Sequence, residues 1–468
     1  MFFERWYTHD GNPYAEKEKL DDKKVKALVS NFEQEIEKRG LLYHAVGHGW
    51  TSGPFGFNAA GWHEADDSAI PEDKRIFLAE IDGKRGFYKG VPLNTNLCYS
   101  NPEVRRIIAD AIASYCDEHR NIDYLHFWLA DSVNSFCECE NCRHTRPSDH
   151  YVMMLNEIDE KLSKKNLDTK IVFLIYFDLM WAPEKERIKN PDRFTLMFAP
   201  ITRYYSQRFK DEYNKPCTTE PFVRNKSQMP NAISKNLSFL KDWFEVAGAK
   251  DSFDFDYHLM WDHQRDVGYF DVARGLFEDM QTLPAMGLGG MVSCQLTRAA
   301  FPTNLPMQMM ADALWDKDCD FEEKSDEYFL SAFGDDGLAV KEYLREISRL
   351  FDVNYTRWEK PCVSEENAHN YTMALGVINN FESVIERNLE LLPAGNLRRS
   401  WEYLDEHSYI IRDVAKALRR RAEGADEEER QKLFEEVYDK VVQREPKLHR
   451  VFDVHQYKNV LRSCIVKF

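Results

Sequence analysis

A chain of 468 residues with 79 acidic and 62 basic side chains, a formal charge of −17, lacks the basic surface that binds a phosphate backbone, so nucleic acid is excluded as the expected partner. Its 43% hydrophobic and 30% charged residues, free of low-complexity tracts, exclude a disordered chain and describe a globular one large enough for two domains. No stretch approaches the apolar length that spans a bilayer, and the opening MFFERWYTHDG lacks a signal peptide's basic-then-apolar pattern, so a cytoplasmic protein with reduced thiols at its ten cysteines is expected. The abrupt aromatic start also suggests that an upstream segment is missing.

Along the first 300 residues, short apolar runs alternate with amphipathic ones, as βα units around a parallel sheet require. The strand-like runs are 2–8, 41–48, 95–100, 124–131, 170–178, 194–199, 252–258 and 290–297. Helix-like runs at 21–39, 102–120, 150–164, 232–246 and 271–282 separate several of them, and Asn101-Pro102-Glu103 places a cap, an N1 proline and a first-turn acid in the favoured order. Eight strands are what a closed barrel needs, so the pattern predicts an α/β protein: a (β/α)₈ TIM barrel over residues 1–315, then an α-helical C-terminal domain over 316–468. In the second part Ala374, Ile378, Phe381, Ile385, Leu389 and Leu392 form one apolar stripe, ended by Pro393-Ala394-Gly395.

In such a barrel the reacting groups project from the C-terminal ends of the strands. Arg5 belongs to the first run; His44, His48 and Trp50 mark the second, Trp128 and Asp131 the fourth, Tyr176 and Asp178 the fifth. Asp256, Tyr257 and His258 end the seventh, with Trp261 just beyond, and Gln295 and Arg298 end the eighth. Carboxylates and flat rings at one mouth suit glycosidic cleavage: one acid protonates the leaving oxygen, a second carboxylate attacks or activates water, and the rings stack on sugar faces. A single Asp at a βα turn can equally cap the next helix, but aromatic residues accompany the acids at strand after strand.

Asp131 is the expected general acid, because it ends an apolar strand where desolvation favours a protonated carboxyl. Asp256 is the expected partner and Asp178 the reserve. Trp50, Trp128 and Trp261 are expected to stack on the substrate, with Arg5, His44, His48, Asn134, Tyr176, Tyr257, His258, Gln295 and Arg298 contacting its hydroxyls or an anionic substituent. The run Cys137-Glu-Cys139-Glu-Asn-Cys142-Arg-His144 has the spacing to wrap a tetrahedral zinc that would brace the loop carrying Asp131 and Asn134, while catalysis itself needs no cofactor.

The segments GHGW (47–50), IDGKR (81–85), LCYSNPEV (97–104), FWLADSVNSFCECENC (127–142) and LPMQMMADALWDKDCD (305–320) resemble the bacterial family known as domain of unknown function 4838. That family is similar to family 20 hexosaminidases and α-glucuronidases, so the resemblance, which covers most of residues 35–335, implies a glycan-directed barrel with Asp131 at its site. Members often carry an α/β domain ahead of the barrel. Family 20 enzymes place an Asp-Glu pair after the fourth strand, whereas Ser132 follows Asp131 here.

The leading expectation is a glycoside hydrolase acting on an oligosaccharide or glycoside, its oligomeric state open. The alternatives are a non-catalytic glycan-binding barrel and a metal-dependent sugar isomerase or lyase built on His48, Asp256 and His258.

Overall fold

A computed structural model describes residues 22–45, 47–59, 61–248 and 251–467. Six strands form one parallel sheet in the order β1-β4-β5-β6-β7-β8: β1 (His44–Ala45), β4 (Tyr124–Phe127), β5 (Lys170–Ile175), β6 (Phe194–Phe198), β7 (Ser252–Asp256) and β8 (Met291–Ser293). Among the described residues two further strands, β2 (Glu80–Ile81) and β3 (Lys84–Arg85), make a separate antiparallel hairpin. Asp82 and Gly83 turn it with both φ angles positive, the geometry that suits a two-residue hairpin.

The sheet is curled. Flat, it would hold β4 and β7, three positions apart, about 14 Å from one another. Instead Trp128 meets Phe255 with ring centroids 5.7 Å apart, His126 meets Phe253 at 6.2 Å, and His44 of β1 meets the same Phe253 at 6.1 Å. Trp128, Val172, Leu174, Met197 and Tyr257 fill this concave face, while Leu125, Phe127, Ile171, Phe173 and Leu196 alternate outward into the larger core shared with the helices.

The expected eight-stranded closed barrel is therefore replaced by a six-stranded parallel half-barrel. Of the two runs that would have completed it, 2–8 lies outside the described residues. The other, 95–100, joins the sheet nowhere: Leu97 makes one antiparallel bridge to Leu78, Asn96 donates to the Ser135 hydroxyl at 2.9 Å, and Cys98 turns into a cluster of thiols. A six-residue apolar run buries itself equally well in a packed loop, and periodicity cannot separate the two.

Helices flank the sheet and then take over the chain. Pro102–Glu118 starts where the Asn101 side chain accepts the Glu103 N–H at 2.9 Å. From Leu305 onward the principal elements are the helices Leu305–Trp315, Phe321–Phe333, Gly337–Phe351, Glu365–Leu391, Asn396–Ala422, Glu427–Leu448 and Val454–Ile465. Ala374, Ile378 and Ile385 of the apolar stripe are buried, and Phe381 stacks on Tyr343 at 4.3 Å. The helical region is tied to the sheet side by Arg298 with Asp453 at 2.7 Å, by His407 with the Val267 carbonyl at 2.7 Å, and by Arg357 with Asp262. Among the described residues no helix is long and apolar enough to cross a membrane.

Candidate active site

Beyond the end of β4 the chain fixes Asp131 by its backbone: its N–H donates to the Leu93 carbonyl at 3.0 Å, and the next residue's hydroxyl, Ser132 Oγ, donates to Asn94 O at 2.6 Å. The Asp131 side chain is 27% exposed. Tyr176, just past β5, donates its hydroxyl to Asp131 Oδ1 at 2.9 Å, and His48 Nε2 lies 4.0 Å from the same oxygen. Burial lowers the His48 pKa against the opposing pull of Asp131, and its Nδ1–H donates to Leu129 O at 2.8 Å, which fixes the ring with Nε2 on the Asp131 side. Burial, with Tyr257 and Asp131 adding to it, raises Tyr176 well above the usual phenol range, which keeps its proton available for donation.

Aromatic rings pack on the neighbouring His48 and on Tyr257. Trp128 and Trp62 meet the His48 ring edge-on at 5.0 and 6.0 Å, and Trp261 stacks on Tyr257 at 5.7 Å with 23° between planes. Trp261 also lines a cleft of about 530 Å³, with Tyr204, Asn231, Asp262, Trp358 and Glu359 among its walls, a size suited to small-molecule ligands. Residues 357–359 close this cleft from the helical side. The Trp358 indole donates to Ser463 O at 2.6 Å, and Arg357 grips Asp262. Trp62, Trp358 and Glu359 escape sequence reasoning because they sit in loops without periodicity; an isolated tryptophan between glycine and histidine, as at 61–63, is the only local signal.

The other expected site residues lie elsewhere. Asp256 and His258 are on the face of β7 opposite Phe255 and Tyr257, sealed beneath the helix Phe270–Thr282. Asp256 accepts the His258 ring N–H at 2.6 Å and backbone N–H at 2.8 Å; burial pushes its carboxyl up, but His258 and Arg203 outweigh that and hold it below the usual range. Asp279 joins this network, 3.7 Å from His258 Nε2 and paired with Arg203 at 2.5 Å. Beside them burial and the Asp256 charge raise Asp254 well above an ordinary carboxyl.

Asp178 is also enclosed: it accepts the Asn134 N–H at 2.8 Å, and burial pushes its carboxyl up to about 6. The Asn134 side chain, at φ +55°, clamps Ser227 through two hydrogen bonds of 2.9 and 3.0 Å. Next to Asp178, Phe177 also takes a left-handed backbone, at φ +48°. Trp50 donates its indole N–H to His126 O at 3.0 Å and packs against Tyr115 of the outer helix layer. His44 pairs with His126 at 3.0 Å at the opposite, N-terminal end of the sheet. Gln295 contacts Met307, Arg298 is held by Asp453 and His449 O, and Arg5 falls outside the described residues.

Cys137, Cys139 and Cys142 do converge, but their fourth companion is Cys98, not His144, whose side chain is exposed. The four sulfurs lie within 4.8 Å of one another and could hold a metal ion. Hydrogen bonds from Cys137 and Cys142 hold the Cys98 thiol below its usual range.

The class the fold defines is an α/β protein with a curled, six-stranded parallel sheet. Residues 68–345, more than half of the chain, match the family described as "Domain of unknown function (DUF4838)", and the chain belongs to that family. A search among curated proteins found no match.

Proposed function

We propose that the protein is a glycoside hydrolase in which Asp131 supplies the proton to the glycosidic oxygen. The observation that carries this reading is the placement of Asp131 at the C-terminal mouth of the sheet, 27% exposed and accepting the Tyr176 hydroxyl, with His48 4.0 Å away and the rings of Trp62 and Trp128 packed on that histidine. In this reading a sugar ring stacks on the part-exposed Trp62 or Trp261, and the rest of the substrate extends past Trp261 into the cleft, while Trp128 and Tyr257, both buried, back the site from within the sheet. No cofactor takes part, and an ion at the four thiols serves as a brace, because four protein ligands leave no open position.

One observation favours a second reading, a non-catalytic glycan-binding protein: Asp178 and Asp256, the expected partner carboxylates, are both enclosed by the fold. A metal-dependent isomerase built on His48, Asp256 and His258 gains no support, since the latter two face away from the mouth and, among the described residues, the four cysteines are the group able to hold an ion. A hydrolysis screen over aryl glycosides, including N-acetylhexosaminides and uronides, separates the first two. Turnover of a substrate that falls by about 10²–10⁴ in Asp131→Asn supports the hydrolase. Saturable glycan binding without any turnover selects the binding protein, and full turnover in Asp131→Asn removes Asp131 from the acid role.

A further inference from the structure

We propose that Cys98, Cys137, Cys139 and Cys142 form a tetrahedral zinc site that locks two loops together at the side of the mouth. Zinc–thiolate bonds of about 2.3 Å at tetrahedral angles put the sulfurs about 3.8 Å apart. Cys98 Sγ is 3.7 Å from Cys139 Sγ and 3.9 Å from Cys142 Sγ. Disulfide sulfurs would stand about 2.05 Å apart, and all four cysteines are free.

The backbone is arranged as a metal knuckle. Both Cys142 N–H and Arg143 N–H turn back onto Cys139 O, at 2.9 and 3.0 Å, which brings the sulfurs of the C-x-x-C pair to one side. Glu80 N–H donates to Cys137 Sγ at 3.3 Å, as backbone donors do to metal-bound thiolates, and the Cys142 thiol donates to Ser100 Oγ at 3.0 Å, which places a hydroxyl beside that sulfur. Ala79 and Ile81 exclude water. Four thiolates around a divalent ion leave a net charge of −2, and the guanidinium of Arg85 beside Cys98 offsets part of it. Arg224 adds a second cation, donating to the carbonyls of Cys137 at 3.1 Å and Cys142 at 2.9 Å.

Tetrahedral all-sulfur sites take zinc or iron, and a mononuclear site with no open position in a closed apolar wall fits structural zinc. The inference is independent of the hydrolase reading, because it is tested by metal content. Elemental analysis of the purified full chain is expected to find one zinc per chain, and cobalt replacement is expected to give the intense ligand-field and sulfur-to-cobalt bands of a tetrahedral tetrathiolate. Cys98→Ser is expected to weaken zinc at least tenfold in competition with a chromogenic chelator, whereas Cys98→His, which restores a fourth ligand, and His144→Ala retain it. Metal-free protein, iron in place of zinc, or zinc lost in His144→Ala but kept in Cys98→Ser would each overturn the proposal; the parent protein's metal content and cobalt spectrum decide it even where Cys98→Ser does not fold.

Discussion

Two carboxylate–histidine pairs sit on opposite sides of the same curled sheet. Asp131 and His48 stand 4.0 Å apart at an open mouth, while Asp256 and His258 are locked at 2.6 Å beneath a helix with Arg203 and Asp279. The residue types are the same and both pairs lie at strand ends. The face to which the backbone turns them decides which is available for chemistry and which holds the fold together.

The sharpest way to break that contrast is to remove a member of the sealed network. Asp279→Ala leaves the Arg203 guanidinium, 1% exposed, without its carboxylate, and is expected to cost about 3–5 kcal/mol in urea unfolding. Asp131→Asn should cost roughly 1 kcal/mol or less by the same measurement, since the exposed site keeps its shape. Equal losses in the two variants would erase the distinction.

The next effect is one of pH. The Asp178 carboxyl is raised from 3.8 to about 6 by burial, so between those values the folded state binds more protons than the unfolded one. Stability from this group is complete below pH 4 and is lost as pH rises through 6, by roughly 3 kcal/mol. Asp178→Asn, which keeps an acceptor for the Asn134 N–H, should gain stability over the parent by up to that amount between pH 4 and pH 7. A pH-independent difference between the two proteins contradicts an enclosed Asp178.

The smallest effect belongs to the mouth. Tyr176→Phe deletes one hydrogen bond to a carboxylate, worth about 1.5–3 kcal/mol to whatever state it stabilises. A ten- to hundredfold fall in turnover or glycan affinity is expected, with little change in unfolding midpoint. A fall in stability with unchanged ligand handling would make Tyr176 part of the scaffold.

Much of this contrast was already written in the run Ser252-Phe-Asp-Phe-Asp-Tyr-His258. Strict alternation puts Phe253, Phe255 and Tyr257 on one face and Asp254, Asp256 and His258 on the other, so expecting Asp256, Tyr257 and His258 to share a mouth conflicts with the two-residue period. The strands from β4 to β8 were legible because turns bracket their apolar runs. The run 95–100 misled because burial, not pairing, made it apolar, and closure into a barrel cannot be read from a strand count. Three of the four clustered thiols were legible from local spacing; Cys98 was not, since 38 residues separate it from Cys137 and only tertiary folding brings them together.

Phe177 gives the mouth a further property. An aromatic residue at φ +48° holds conformational strain of about 1–3 kcal/mol, and it directly follows Tyr176, whose hydroxyl steadies Asp131. The fold thus gives up some of its thermodynamic margin to aim one side chain. Glycine at 177 would relax the backbone while loosening that aim, so drift toward a sturdier chain and retention of a taut mouth pull on this position in opposite directions.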